Sequence, residues 1–242
     1  MDKAPYILEI CAGNVTWAVD AARAGADRIE LVDNFHEGGT TPSPGTVHEV
    51  VKEITKPVMV MLRPRGGHFV YSETEFRVML KDLEWIRESG ATGIVTGLLT
   101  PGDEPDLKRC ECLLKHSGHL QVTFHRAFDQ IRNPFTALEK LAELGFHRIL
   151  TSGGPGAAEH HLQTLSSLIH QANEKIIVMP GGGIRSYNLP GLLEATHARE
   201  VHMAPVIPEA KAEKAFQHFP SPDLQEIHKV YFFLQSLIHP SE

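Results

Sequence analysis

The sequence predicts a single-domain (β/α)8 barrel. Three observations point there. Eight short apolar runs alternate with stretches of helical periodicity along the 242 residues. A glycine phrase recurs where helix gives way to strand. Polar and ionisable residues gather at the C-terminal ends of the runs, where barrels of this class carry their chemistry. A doubly wound open sheet is the competing architecture. Barrels of this class commonly fit in about 250 residues as one domain, so the whole chain, 1–242, is assigned to one.

The eight runs are Tyr6–Cys11, Asp27–Val32, Pro57–Arg63, Thr92–Leu98, Leu120–His125, His147–Ser152, Lys175–Pro180 and Arg199–Met203. Each is short and apolar, the mark of a strand buried on both faces of a parallel sheet. Helical spacing follows: Ala18, Ala21 and Ala22 after the first, and Phe76, Leu80, Leu83 and Ile86 after the third. The latter helix opens with the capping pattern Ser72-Glu73-Thr74-Glu75. Leu138, Leu141 and Leu144 continue the pattern, then Leu162, Leu165, Leu168 and Ile169. Gly25, Gly90 and Gly145 each close a helix just before the next strand, which predicts a left-handed backbone there. The tail 222–238 reads as an extra amphipathic helix on the outside of the barrel.

Composition narrows the function. The formal net charge is −7, with Lys+Arg 23 against Asp+Glu 30, so neither nucleic acid nor an anionic membrane surface is an expected partner. No apolar run approaches the roughly 20 residues of a membrane helix. The N-terminus runs directly into a strand, and no signal peptide is expected. Cys11, Cys110 and Cys112 make an odd count, as expected of free thiols in a reducing cytoplasm. Cys110 and Cys112 lie two apart on a helix and face different sides, a poor pairing for zinc.

The seventh run ends in Pro180-Gly181-Gly182-Gly183. Glycines after a strand leave backbone N–H groups open to an anion, and Ser152-Gly153-Gly154 after the sixth run offers a second such turn. Period two places Glu9 and Cys11 on one face of the first strand. Facing inward with them are Glu30, Thr123, His125, Glu200 and His202, since strand faces toward the outer helices must be apolar. Unpaired charge inside a barrel is costly, so Arg63 is expected to balance Glu9 and Glu30. From this follows an enzyme reading for a small anionic or phosphorylated ligand. Glu9, Glu30, Arg63 and His125 supply acid, base and charge, with Asp129 orienting a neighbour. Arg65, Thr151, Ser152, Gly153, Gly154 and Gly181–Gly183 hold the anion. The reaction class stays open among lyase, isomerase and hydrolase. The loop Arg65–Phe69 reads as a lid over the mouth.

Several phrases together resemble the CutC family of copper-homeostasis proteins. They are Ile7-Leu8-Glu9-Ile10-Cys11, Gly25-Ala26-Asp27-Arg28-Ile29-Glu30-Leu31, Gly38-Gly39-Thr40-Thr41-Pro42-Ser43 and Arg63-Pro64-Arg65. Thr123-Phe124-His125-Arg126-Ala127-Phe128-Asp129, Ile149-Leu150-Thr151-Ser152-Gly153-Gly154 and Met179-Pro180-Gly181-Gly182-Gly183 continue the likeness, which spans roughly residues 6–204. The resemblance implies a TIM barrel, a cytoplasmic homo-oligomer and a link to copper(I). Soft ligands suit copper(I), and the candidates are Cys11 and His36, with Met61 as a thioether. His202 with His125, beside Glu9 and Glu30, makes instead a mixed imidazole and carboxylate set that suits zinc or manganese, without a compact ligand motif to back it. The chain departs from the family pattern twice. Val32 stands where members often carry a second cysteine, and His202-Met203-Ala204-Pro205 replaces a His-Gly-Ser turn.

Overall fold

The computed structural model describes residues 6–206 and 221–238. Eight parallel strands run in the order β7-β6-β5-β4-β3-β2-β1-β8. They are β1 (Ile7–Ala12), β2 (Arg28–Leu31), β3 (Val58–Met61) and β4 (Gly93–Thr96), then β5 (Gln121–Phe124), β6 (Arg148–Thr151), β7 (Ile177–Pro180) and β8 (Glu200–Met203). The remaining gap, between β7 and β8, is spanned at the mouth by a parallel bridge of Gly181 with His202. A Cβ on Gly181 would sit 2.5 Å from Leu150 and 3.2 Å from His202, so the first glycine of the triplet permits this closure. The expected runs and the observed strands coincide, except that the ends of several runs belong to the loops.

The helices are α1 (Val15–Arg23), α2 (Pro44–Glu53), α3 (Glu73–Glu88), α4 (Leu107–Ser117), α5 (Pro134–Leu144), α6 (Leu162–Ala172), α7 (Leu189–Thr196) and α8 (Leu224–Ile238). Ser72 and Glu75 form the expected reciprocal cap on α3. Gly25, Gly90 and Gly145 hold φ of 113°, 86° and 98°, as their place at the helix ends requires. The core is the apolar layer between strands and helices, with Leu8, Ile10, Ile29, Leu31, Leu62 and Phe124 fully buried.

The amphipathic tail helix expected on the outside of the barrel is α8. Seven helices separate eight strands, and α8 supplies the eighth, packed beside α1. Tyr231 of α8 lies on Gly25, where a Cβ would come within 2.4 Å of its ring, so the glycine makes room for the helix that completes the outer layer. At the other end of α8, Glu226 accepts from the backbone and hydroxyl of Ser186 after β7.

Candidate functional site

At the C-terminal mouth lies a cavity of about 420 Å³. Its wall includes Cys11, Glu30, Arg63, His125, Gly182, Gly183 and His202 from the expected set. Thus residues from five strands or strand ends, and the glycine turn, do converge.

Register fixes one corner. Cys11 is paired with Glu30 across β1 and β2, and Glu9 with His202 across β1 and β8. These four side chains all point into the barrel. One ligand atom each from Cys11, Glu30 and His202 lies within 4.8 Å of the other two, and all three residues are buried. His202 Nδ1 contacts Glu9 Oε1 at 2.7 Å, while its Nε2 faces Glu30 Oε2 at 3.7 Å. Burial opposes a charge on Glu9, but Arg28 and His202 outweigh it and hold the carboxyl down at about 2. Burial pushes Glu30 the other way, above the usual carboxylate range, although His202 pulls against it. The Cys11 thiol is raised well up by burial and by the neighbouring Glu30. Burial would lower His202, yet Glu30 and Glu9 raise it.

The balance of charge differs from expectation. Arg63 does not neutralise Glu9 and Glu30. Arg28 does so for Glu9, bonding it through Nε and reaching Glu200 through Nη2. Arg148 joins the same network, its Nε 2.7 Å from Glu200 and its Nη1 2.7 Å from Gln121. This buried network lies beneath the mouth as a floor. Arg63 instead donates to the carbonyls of Glu37, Gly39 and Gly67 and lies over the Phe69 ring at 4.9 Å. It clamps two loops together while remaining in the cavity wall.

His125 stands on the opposite wall. Its Nδ1 accepts the Ala127 N–H at 3.1 Å, which places the ring proton of the neutral form on Nε2. Nε2 is buried and has no hydrogen-bond partner among the described residues. Burial, reinforced by Arg63, lowers the imidazole to about 3, so it is neutral across the physiological range. Gly97 leaves room for the ring, since a Cβ there would lie 2.5 Å from it. Phe69 covers it at a centroid distance of 4.8 Å.

Two further arginines, unassigned from sequence, complete the wall: Arg126 and Arg185. Arg126 lies against Gly182, whose Cβ would be 3.2 Å from the guanidinium carbon. Asp129 sets its position. The carboxylate takes Arg126 Nε at 2.8 Å, and also accepts from Thr151 Oγ1, the Ser152 N–H and Ser152 Oγ. Thr151 and Ser152 therefore support the arginine from behind the cavity wall. Gly182 N–H and Gly183 N–H donate to no acceptor among the described residues. The sequence did carry a signal for Arg126, which lies in the quoted run after β5, and for Arg185, two residues beyond the glycine triplet.

Other expected residues stand apart. Gly153 and Gly154 are backed by His161 and do not line the cavity. Arg65 turns away from the mouth, paired with Glu75 and donating to the carbonyls of Gly66, His68 and Val70. That pins the loop expected to be a lid. His36 is exposed on a short turn beside Phe35, and Glu30 occupies the third place near Cys11 and His202. Val32 forms apolar wall with Cys11, Met59, Met61 and Val95. Cys110 is buried in α4 and Cys112 half-buried, which separates that pair as expected.

Fold and site together define a (β/α)8 barrel with a polar cavity at the C-terminal mouth of its strands. Residues 6–207 match the model of the CutC family, and the chain belongs to that family. It is 47% identical over 197 residues to the "Copper homeostasis protein cutC homolog" of Homo sapiens, covering 81% of this chain and 72% of that one. It is also 47% identical over 196 residues to a CutC protein of Salmonella schwarzengrund, covering 81% and 78%. A crystal structure of CutC from Streptococcus agalactiae superposes with a TM-score of 0.76 at 34% identity, over 82% of this chain and 98% of that one. The N-(5'-phosphoribosyl)anthranilate isomerase of Pyrococcus furiosus shares the barrel at a TM-score of 0.60, covering 96% and 99%, with only 14% identity. No helix among the described residues is long and apolar enough to cross a membrane.

Proposed function

We propose that the mouth binds a small anionic organic ligand and performs proton-transfer chemistry on it. One observation carries this reading: the cavity wall presents two buried, unpartnered polar atoms, Glu30 Oε1 and His125 Nε2, facing a space that Arg63, Arg126, Arg185 and the glycine N–H groups make attractive to anions. Charge-assisted hydrogen bonds from Arg126, with the open N–H groups of Gly182 and Gly183, hold a phosphate or carboxylate. The neutral His125 donates through Nε2–H to a carbonyl or developing oxyanion. Glu30, with its raised affinity for protons, exchanges one with the ligand. Among the described residues no lysine lines the cavity, and the scheme uses no Schiff base. Isomerases and lyases that move a proton beside a carbonyl are the reaction classes this set serves.

Calorimetric titration of the full chain with inorganic phosphate, a triose phosphate and a dicarboxylate tests the reading. At least one is expected to bind, and Arg126→Ala is expected to weaken it about tenfold or more. Silence from all three ligands, or wild-type affinity in both Arg126→Ala and Arg185→Ala, overturns it.

The relatives' names support a second reading, in which copper(I) is cargo. Cys11 is the soft ligand in the cavity wall, with the His202 imidazole beside it. Anaerobic competition against a copper(I) chelator decides it: equally weak binding by wild type and Cys11→Ser removes copper(I) from the account. Three free thiols suit a cytoplasmic setting, and a homo-oligomer is the assembly this reading carries, measurable by sedimentation.

A further inference from the structure

The Cys11–Glu30–His202 corner is poorly matched to copper(I). That ion favours two or more thiolate or thioether donors. Here the position that would bring a second sulfur holds Val32, and Met61 packs in an apolar cluster with Met59 and Val95. The third donor is a carboxylate, a hard ligand. We propose that Cys11, Glu30 and His202 form a site for a borderline divalent cation of the zinc class, with its fourth position open to the mouth cavity.

Four observations carry the assignment. The three donors are one sulfur, one oxygen and one imidazole nitrogen, mutually within 4.8 Å. Strand register sets them side by side, with Cys11 opposite Glu30 and His202 opposite Glu9. Glu30 Oε1 is buried in the cavity wall with no hydrogen-bond partner among the described residues. Glu9 bonds His202 Nδ1 at 2.7 Å and so directs Nε2 toward the other two donors. A carboxylate behind a ligating imidazole is the recurring outer-shell device of zinc sites. Three protein donors with one open position is the pattern of zinc sites that act on a ligand rather than brace a fold. All three donors line the cavity that also holds Arg126, Gly182 and Gly183, so a bound cation and a bound anion would share one chamber. Glu30 then serves as a ligand, and a ligand or water on the open position replaces it in proton transfer. The inference takes from the proposed function only the anion's place in that chamber.

Cobalt(II) is the probe for the full, metal-stripped chain. One Co2+ per chain is expected, with a near-ultraviolet sulfur-to-cobalt band that Cys11→Ser abolishes. Zn2+ should displace it stoichiometrically. Glu30→Gln and His202→Gln should each weaken Co2+ at least about tenfold, and Glu9→Gln about tenfold through loss of orientation. Circular dichroism checks each variant for folding. If the Glu30 or His202 variant does not fold, the Cys11→Ser spectrum still decides. Absence of the sulfur band in wild type overturns the proposal. So does unchanged Co2+ affinity in Glu30→Gln joined to chelator-resistant copper(I) binding, which returns the corner to soft-metal cargo. Inorganic phosphate titrated into the metal-stripped chain reads the anion site separately, so failure of one reading is distinguishable from failure of the other.

Discussion

Glu9 and His202 face each other across β1 and β8 and share a 2.7 Å hydrogen bond that the imidazole must donate, because Glu9 is ionised. The same carboxylate bonds Arg28 through its other oxygen. Glu9 thus couples the buried floor of the barrel to a residue of the mouth. Removing its charge leaves Arg28 with less compensation in the interior. Glu9→Gln should therefore cost about 3–5 kcal/mol of stability, measured by urea unfolding near neutral pH.

The acid response of the wild type follows from the same group. Its pKa falls from 4.5 to about 2 on folding, so the unfolded chain binds the proton more tightly. The stabilisation is full above pH 4.5 and is lost as pH falls through that value toward 2. Its size is on the order of 3 kcal/mol. Unfolding curves collected across this window should show a declining midpoint, and the decline should be shallower in Glu9→Gln.

His125 contributes to acid lability over a higher window. Its pKa drops from 6.5 to about 3 on folding, chiefly because burial disfavours the imidazolium. Below pH 6.5 the unfolded chain takes up a proton that the folded chain refuses. Stability present above 6.5 is accordingly lost between 6.5 and 3, to a limit on the order of 5 kcal/mol. His125→Gln removes that titration. Its stability should be flatter than wild type between pH 6.5 and 5, and an unchanged slope there would show that His125 is not buried as a neutral ring.

The barrel was legible because its signal is spread over eight repeats, and no single boundary had to be right. Inward positions were legible for the same reason: period two carries Glu9 with Cys11 and Glu200 with His202. That rule also places Arg28 with Glu30 on β2, and Arg148 with Leu150 on β6. Both arginines begin their strands, away from the mouth, and period two does not say which cation meets Glu9, so the sequence points to Arg63 rather than to this floor. What period two cannot supply is the path of a loop. Arg63, Arg65 and His36 lie at or beyond strand ends, and their directions depend on carbonyls of neighbouring loops. The tail helix was legible from its own amphipathic pattern. Counting helices only between strands gives seven, and the eighth follows the last strand after a long connection.

Gly182 offers a test of the anion cradle that leaves the charged residues intact. It holds φ of 100°, where an L side chain is strained, and a Cβ would press on Arg126 at 3.2 Å. Gly182→Ala should cost roughly 1–3 kcal/mol of stability from backbone strain. The larger effect should be on ligand binding, because the methyl group displaces Arg126 and crowds the open N–H groups. Affinity for inorganic phosphate should fall at least about tenfold in calorimetry. A stability loss with unchanged affinity would remove the turn from the binding site.

In the proposed anion site, Asp129 would act on the ligand only through Arg126. It ion-pairs with the guanidinium at 2.8 Å while accepting from Thr151 and Ser152, and it does not line the cavity. Asp129→Asn keeps the shape but removes the charge, so the exposed Arg126 loses its ion pair and keeps only its bonds to Ser152 Oγ and the Gly156 carbonyl. An amide oxygen at the Oδ1 position keeps the Thr151 hydroxyl and the Ser152 N–H, and the Ser152 hydroxyl, now facing the NH2, still donates to the Gly154 carbonyl, which limits the stability loss to about 1–2 kcal/mol. Anion affinity should still fall several-fold, and in an enzyme assay KM should rise more than kcat falls, since Arg126 holds the ligand rather than the transferred proton. In an Arg126→Ala background, adding Asp129→Asn should change affinity no further. If Asp129→Asn lowers affinity equally with and without Arg126, the carboxylate acts on the pocket by another route.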